Sequence, residues 1–81
     1  MTLEELKNEY LAKAEKFHNE GLEASRRAER YEGYADLYSP DDSKHIVNLE
    51  TAMSERRKAI DLFNMSTIYA SVVSDLLKVT K

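Results

Sequence analysis

Apolar residues recur every seven positions through the first half of the chain, with small residues between them at steps of four and three. The large series is Leu3, Tyr10, Phe17, Ala24, Tyr31 and Tyr38, and the small series is Ala14, Gly21, Ala28 and Ala35. The second half continues the same spacing over a set that we call the first stripe: Ile46, Leu49, Met53, Arg56, Ile60, Phe63, Thr67, Ala70, Ser74 and Leu77. Two runs of more than about 25 residues indicate two long helices with coiled-coil packing.

Helix-start signals occur at two places. Thr2 is followed three residues later by Glu5, the spacing of a capping box. Near the midpoint, Ser39 precedes Pro40 and two carboxylates, which predicts Ser39 as N-cap and Pro40 as the first helical residue. We therefore predict one domain over residues 1–81, with helix 1 at about 3–38, a turn at about 39–41 and helix 2 at about 40–79.

The two apolar series predict how the helices face each other. If the chain reverses at this turn, facing residues have numbers that sum to about 80 or 81, as expected for an antiparallel pair of equal rise. The small series then meets the first stripe, in the pairs Ala35/Ile46, Ala28/Met53, Gly21/Ile60 and Ala14/Thr67. Small residues opposite large ones fill a core without voids. We therefore predict an all-α fold, an antiparallel two-helix hairpin.

Helix 2 carries a second stripe that this hairpin leaves unused: Ala59, Leu62, Ser66, Tyr69, Val73 and Leu76. Helix 1 adds Leu6, Leu11 and Leu22 outside its seam. Because each large side chain contributes roughly 1.5–3 kcal/mol when buried, we predict that these residues form an interface. Self-association as a homodimeric four-helix bundle is the favoured use of this interface, and docking of a different protein is the alternative.

Composition excludes several classes of function. The 15 acidic residues outnumber the 12 basic ones, giving a net charge of −3, which disfavours a general nucleic-acid coat or a polybasic membrane anchor. The chain has no cysteine, so disulfides and thiol chemistry are excluded. No leader peptide and no apolar run of about 20 residues is visible. We expect a cytoplasmic protein with no membrane association, no cofactor and no metal.

Two polar clusters are candidate partner-binding sites. The first is an arginine girdle at mid-hairpin, formed by Arg26, Arg27, Arg30, Arg56 and Arg57. The second lies at the turn, where tyrosines with acidic neighbours are typical of protein-binding hot spots: Tyr34, Tyr38 and Asp36. The girdle on a helical hairpin resembles, in architecture, the small plasmid four-helix bundles that bind RNA. That resemblance implies an RNA-binding regulatory role as an alternative.

The residue pattern contains no nucleophile–base pair, glycine-rich phosphate loop or helical metal-ligand motif. We therefore expect a non-enzymatic protein-interaction module, a small adaptor or inhibitor that binds and modulates a larger protein. Small acidic helical chains of this kind are common among phage and mobile-element proteins. Two alternatives stay open, the RNA-binding bundle and a purely structural oligomerisation device.

Overall fold

The computed structural model describes residues 2–79 and contains two helices, α1 (Leu3–Ala35) and α2 (Ser43–Val79). They pack side by side as a rod of 59 × 15 × 14 Å. No strand occurs within the described residues. The prediction of an all-helical hairpin is confirmed.

The first helix begins where the sequence predicts. Thr2 has extended backbone angles, and its hydroxyl accepts a hydrogen bond from the Glu5 N–H at 3.1 Å. The same hydroxyl lies 3.2 Å from Glu5 Oε1, to which it donates. Glu4 and Glu5 place negative charge in the first turn, where the helix dipole is positive. Local capping chemistry therefore fixes this end of α1.

The turn is longer than predicted, and its capping residue is different. The Leu37 and Tyr38 N–H groups each bond the carbonyl three residues before, which tightens and ends α1 after Ala35. The Asp42 side chain, at 2.8 Å from the Lys44 N–H, caps α2. Ser39 instead donates to Asp41 Oδ1 at 2.6 Å within the turn. The prediction of Ser39 as N-cap was wrong, because Asp41 engages its hydroxyl and the chain makes a further turn before α2 begins.

The interior of the hairpin is made of small side chains. The buried residues are Ala14, Gly21, Ala24, Ala28 and Ala35 on α1 and Ala52, Ala59 and Val73 on α2. Among residues 2–79, no large side chain is fully buried. Small residues at these positions let two helices approach closely, so dispersion contacts between backbones replace a core of large side chains.

The pairing of α2 with α1 differs from the predicted one by a single residue. Ala35 O meets His45 instead of Ile46, and Ala14 O accepts from the hydroxyl of Ser66 instead of facing Thr67. One residue is a rotation of about 100° around the helix axis. The position of the chain reversal was therefore correct, whereas the face that α2 presents to α1 was wrong.

Candidate functional site

The second stripe of α2 packs against α1. Ala59 and Val73 are buried, and Leu62, Ser66, Tyr69 and Leu76 are half-buried. The ring of Tyr69 stacks on Tyr10 and Phe17 with centroid distances of 5.6 Å to each. These residues therefore contribute to packing within the hairpin, which differs from the intermolecular use that the sequence predicts for them.

The second stripe was hard to recognise in the sequence because polar residues interrupt its apolar pattern. Continued toward the turn at the same spacing, it includes Glu55, Ala52, Asn48 and His45, which do not look like core positions. In the structure His45 Nδ1 lies 2.7 Å from Ala35 O, and Glu55 Oε2 accepts from Arg27 Nε at 2.9 Å. A polar group is tolerated in a seam when it is hydrogen-bonded.

The first stripe is exposed along α2. Met53 and Ile60 are each 58% exposed, and Ile46, Leu49 and Leu77 are also exposed. The small size of Ala52 and Ala59 was the signal in the sequence that these residues, and not the first stripe, face α1. They lie opposite Ala28 and Gly21, where the two helices pack closely. The sequence pattern predicts that the large apolar residues of the first stripe form the core, whereas in the structure they face outward.

One edge of α1 lies beside the first stripe and extends its apolar surface. The His18 ring is 5.5 Å from the ring of Phe63. Leu11 and Leu22 lie seven residues before and four residues after His18, so they share its edge of α1. Both are exposed. We call the surface formed by the first stripe with Leu11 and Leu22 the open face. Leu6, which was predicted to join them, is half-buried on the opposite edge.

The Phe63 ring packs directly against Gly21. A β-carbon added at Gly21 would lie 2.7 Å from Cε1 and 2.8 Å from Cδ1 of Phe63. Glycine at this position therefore lets the ring lie flat across the groove between α1 and α2 at the edge of the open face.

The edge opposite the open face is charged. Glu55 bonds Arg27 and also pairs with Lys58 at 3.3 Å. The Arg27 hydrogen bond, and more weakly Lys58, holds the pKa of the Glu55 carboxyl below its ordinary value. We call this surface the charged face. On α1 it carries Glu9, Lys13, Lys16, Glu20, Glu23, Arg27 and Arg30.

The predicted arginine girdle does not form one patch. Arg27 pairs with Glu55 on the charged face, whereas Arg56 Nε bonds Glu32 Oε1 at 2.5 Å on the open-face edge. That bond lowers the pKa of Glu32 and raises that of Arg56. Glu32 and Arg27 are five residues apart, which places them on opposite sides of the α1 seam. The remaining arginines, Arg26, Arg30 and Arg57, are exposed.

Exposed aromatic and apolar residues cluster around the turn. Tyr34 meets Tyr31 edge to face at 5.8 Å, and the Lys44 ammonium lies 5.4 Å from the Tyr38 ring centroid. Leu37 is the most exposed large apolar residue of the described chain, at 75%. Asp36 is the C-cap of α1. We call Tyr34, Leu37 and Tyr38 the tip.

Two shallow, open grooves lie on the surface of the described residues. One, of about 330 Å³, is lined by Ala14, Glu15, His18, Asn19 and Ser66. Another, of about 310 Å³, is lined by Glu23, Arg26, Arg27 and Arg30. Among residues 2–79, no three His, Asp or Glu side chains are grouped to hold a metal ion.

Neither helix contains, within residues 2–79, a segment apolar enough to cross a bilayer. No family model, curated protein or solved structure matches the chain.

Proposed function

We propose that this chain is a non-enzymatic protein-interaction module that binds through the open face. The observation that supports the proposal is the exposure of large apolar residues along the first stripe of α2. Met53 and Ile60 are large side chains more than half exposed, and they follow the spacing that helices use to pack against one another. Exposed apolar surface of this extent marks interaction sites on soluble proteins.

The surface area of the hairpin supports a second copy as the first occupant. The chain exposes 5858 Å². A compact monomer of the same mass exposes about 5,000 Å². The excess of about 900 Å² is close to the roughly 800 Å² that each partner loses in a standard interface. We propose a homodimer in which two open faces stack, giving a four-helix bundle with the large apolar residues in its centre.

The shape of the open face favours the same occupant. Both helices contribute apolar residues to it, Leu11 and Leu22 from α1 and the first stripe from α2. A partner that covers such a face must itself present two long helices with an apolar side. A second hairpin does so, and it is always present at matching concentration.

Within this proposal the bundle acts as an adaptor or inhibitor of a larger protein, and the tip is the surface that it presents. The first stripe would be enclosed, whereas Leu37 and Tyr34 lie at the end of the rod and stay accessible. The RNA-binding alternative has less support, because Arg27 and Arg56 are already paired with carboxylates on opposite edges. Paired arginines have less charge to offer to phosphates.

The test compares two isoleucines of α2 with almost equal exposure. Ile60 lies on the open face at 58% exposure, and Ile68 lies on the opposite edge of α2 at 61%. We expect Ile60→Glu to weaken self-association at least tenfold in sedimentation equilibrium, because a carboxylate would be buried against a second copy. Ile68→Glu is the matched control and should leave the association constant unchanged. A monomeric parent chain, or equal effects of both variants, would contradict the proposal.

A further inference from the structure

We propose that in the dimer each α1 packs beside α2 of the second copy, with the two-fold axis parallel to the helices, so that both turns lie at the same end. This inference rests on the self-association proposed above. Two open faces can stack in two ways that keep neighbouring helices antiparallel. In one, α1 meets α2 of the second copy, and in the other α1 meets α1 and α2 meets α2.

The two helices carry opposite charge along the edges that border the open face. On α1, the positions flanking Leu22 at helical spacing carry four acids and one base: Glu5, Glu15, Glu29, Asp36 and Arg26. On α2, the equivalent outer positions carry two bases and one acid: Arg57, Lys78 and Glu50. The α1 edge is therefore negative and the α2 edge is positive.

These charges favour one arrangement over the other. Stacking α1 on α1 brings two acidic edges together, and stacking α2 on α2 brings two basic edges together, so both contacts are repulsive. Stacking α1 on α2 of the second copy sets each acidic edge against a basic one. Charges at the rim of an interface decide register and partner orientation more than total affinity.

The heights of the residues along the rod agree with this pairing. With an axis parallel to the helices, residue i of α1 is level with residue 80 − i of the second copy's α2, as Ala14 and Ser66 are within one chain. At a rise of about 1.5 Å per residue, Arg26 comes within about 6 Å along the axis of Glu50, and Glu29 within about 9 Å of Arg57. The same relation places Lys78 beside the acidic first turn of α1.

The arrangement also decides what the bundle can present to a larger protein. With both turns at one end, two copies of Leu37 and two of Tyr34 border a single end surface. With the turns at opposite ends, each end would carry one tip. A same-end dimer therefore has one composite aromatic surface for one partner.

Distances between spin labels test the arrangement, since the chain has no native cysteine. Ser43, exposed at the start of α2, becomes the label site as Ser43→Cys. Turns at the same end predict a Ser43→Cys distance between copies of about 15–30 Å, from helix spacings of 8–10 Å plus the label arms. Turns at opposite ends predict a distance close to the 59 Å length of the rod.

A second label separates failure of this inference from failure of dimerisation. Asn19, exposed near mid-rod, gives a short distance between copies as Asn19→Cys in either arrangement. A short Asn19→Cys distance with a long Ser43→Cys distance would overturn the same-end arrangement and keep the dimer. No coupling between copies at either site, with a monomeric mass, would overturn both proposals.

Charge reversal gives an independent test, because the two arrangements predict opposite changes in the affinity of the dimer. Glu29→Lys should weaken the dimer several-fold at low salt if α1 faces α2 of the second copy, and Glu29→Lys with Arg57→Glu should restore it. If α1 faces α1, Glu29→Lys would relieve repulsion and strengthen the dimer, which would overturn the proposal. Sedimentation at low and high salt measures the effect, which is expected to shrink as the salt screens it.

Discussion

Two stripes run side by side along α2, one residue apart, and they differ in burial. Ala52 and Ala59 are buried against α1, whereas their chain neighbours Met53 and Ile60 are more than half exposed. In this half of α2, the one nearer the turn, the buried stripe has small side chains and the exposed stripe has large ones. Burial here therefore follows how closely the two backbones approach, and the hydrophobicity of single residues does not decide it.

The difference has a physical cause. Alanine and glycine lose little side-chain entropy on burial and let the helix backbones come close. The large side chains are left at the edge of the groove, where a two-helix layer cannot enclose them. A second layer is required to remove that surface from water. The hairpin thus separates the residues of its internal packing from a row of large exposed apolar residues.

Substituting leucine for one residue on each stripe tests this separation, with the largest expected effect on stability. Ala59→Leu adds three carbons to a buried position and should lower the free energy of unfolding by about 1–3 kcal/mol. Ile60→Leu on the neighbouring exposed position should change it by less than about 0.5 kcal/mol. Urea unfolding followed by circular dichroism, at a concentration where both variants are monomeric, makes the comparison. Equal losses for the two variants would contradict the different roles of the stripes.

The two glycines of α1 give the next comparison. Gly21→Ala places a β-carbon against the Phe63 ring at 2.7 Å, whereas nothing lies within 4 Å of a β-carbon at Gly33. Gly33→Ala should therefore raise the thermal midpoint through its gain in helix propensity, about 0.5–1 kcal/mol. Gly21→Ala should lower it, because Phe63 must move from the groove. A rise in both midpoints would show that Phe63 does not depend on the close approach at Gly21.

The charged face supplies the smallest expected effect, and it depends on pH. The pKa of Glu55 in the folded chain is below its ordinary value of 4.5, mainly through the Arg27 hydrogen bond. Its contribution to stability is therefore complete above pH 4.5 and is lost as the pH falls through the lowered pKa. Glu55→Gln should flatten the fall of the thermal midpoint below pH 4.5.

Asp61→Asn is the control for that experiment, since Asp61 is exposed and lies on the side of α2 away from both α1 and the open face. Its pH profile should match that of the parent chain. If Glu55→Gln and the parent chain lose stability in parallel down to pH 2, the Arg27–Glu55 pair has no measurable effect in solution, as is common for exposed ion pairs.

Much of the fold was predictable from particular residues. Thr2 and Glu5 mark the start of α1, and the small series from Ala14 to Ala35 is buried as expected. The place of chain reversal also followed from Pro40 and its polar neighbours. The residue that caps α2, Asp42, could not be predicted, because Ser39, Asp41 and Asp42 are all suitable N-cap residues. The hydrogen bond between Ser39 and Asp41 selects among them.

The face that α2 turns toward α1 was the part that sequence periodicity assigned wrongly. Arg56 illustrates the reason: its spacing places it in the first stripe, and the structure places it at the edge, paired with Glu32. In the predicted arrangement it would have faced Ala24 as a buried charge. The partner Glu32 is 24 residues away in the chain, so the pattern within α2 carried no sign of it.

The sequence by itself determined two long helices, the small-residue seam of α1 and the place where the chain reverses, because these depend on local spacing and capping. Only the tertiary structure decided which side of α2 faces α1. The two stripes have the same period and differ by one residue, about 100° of rotation. Which stripe faces α1 depends on the packing of Phe63 against Gly21 and on the hydrogen-bond partners of His45 and Glu55. These contacts form only when both helices are in place.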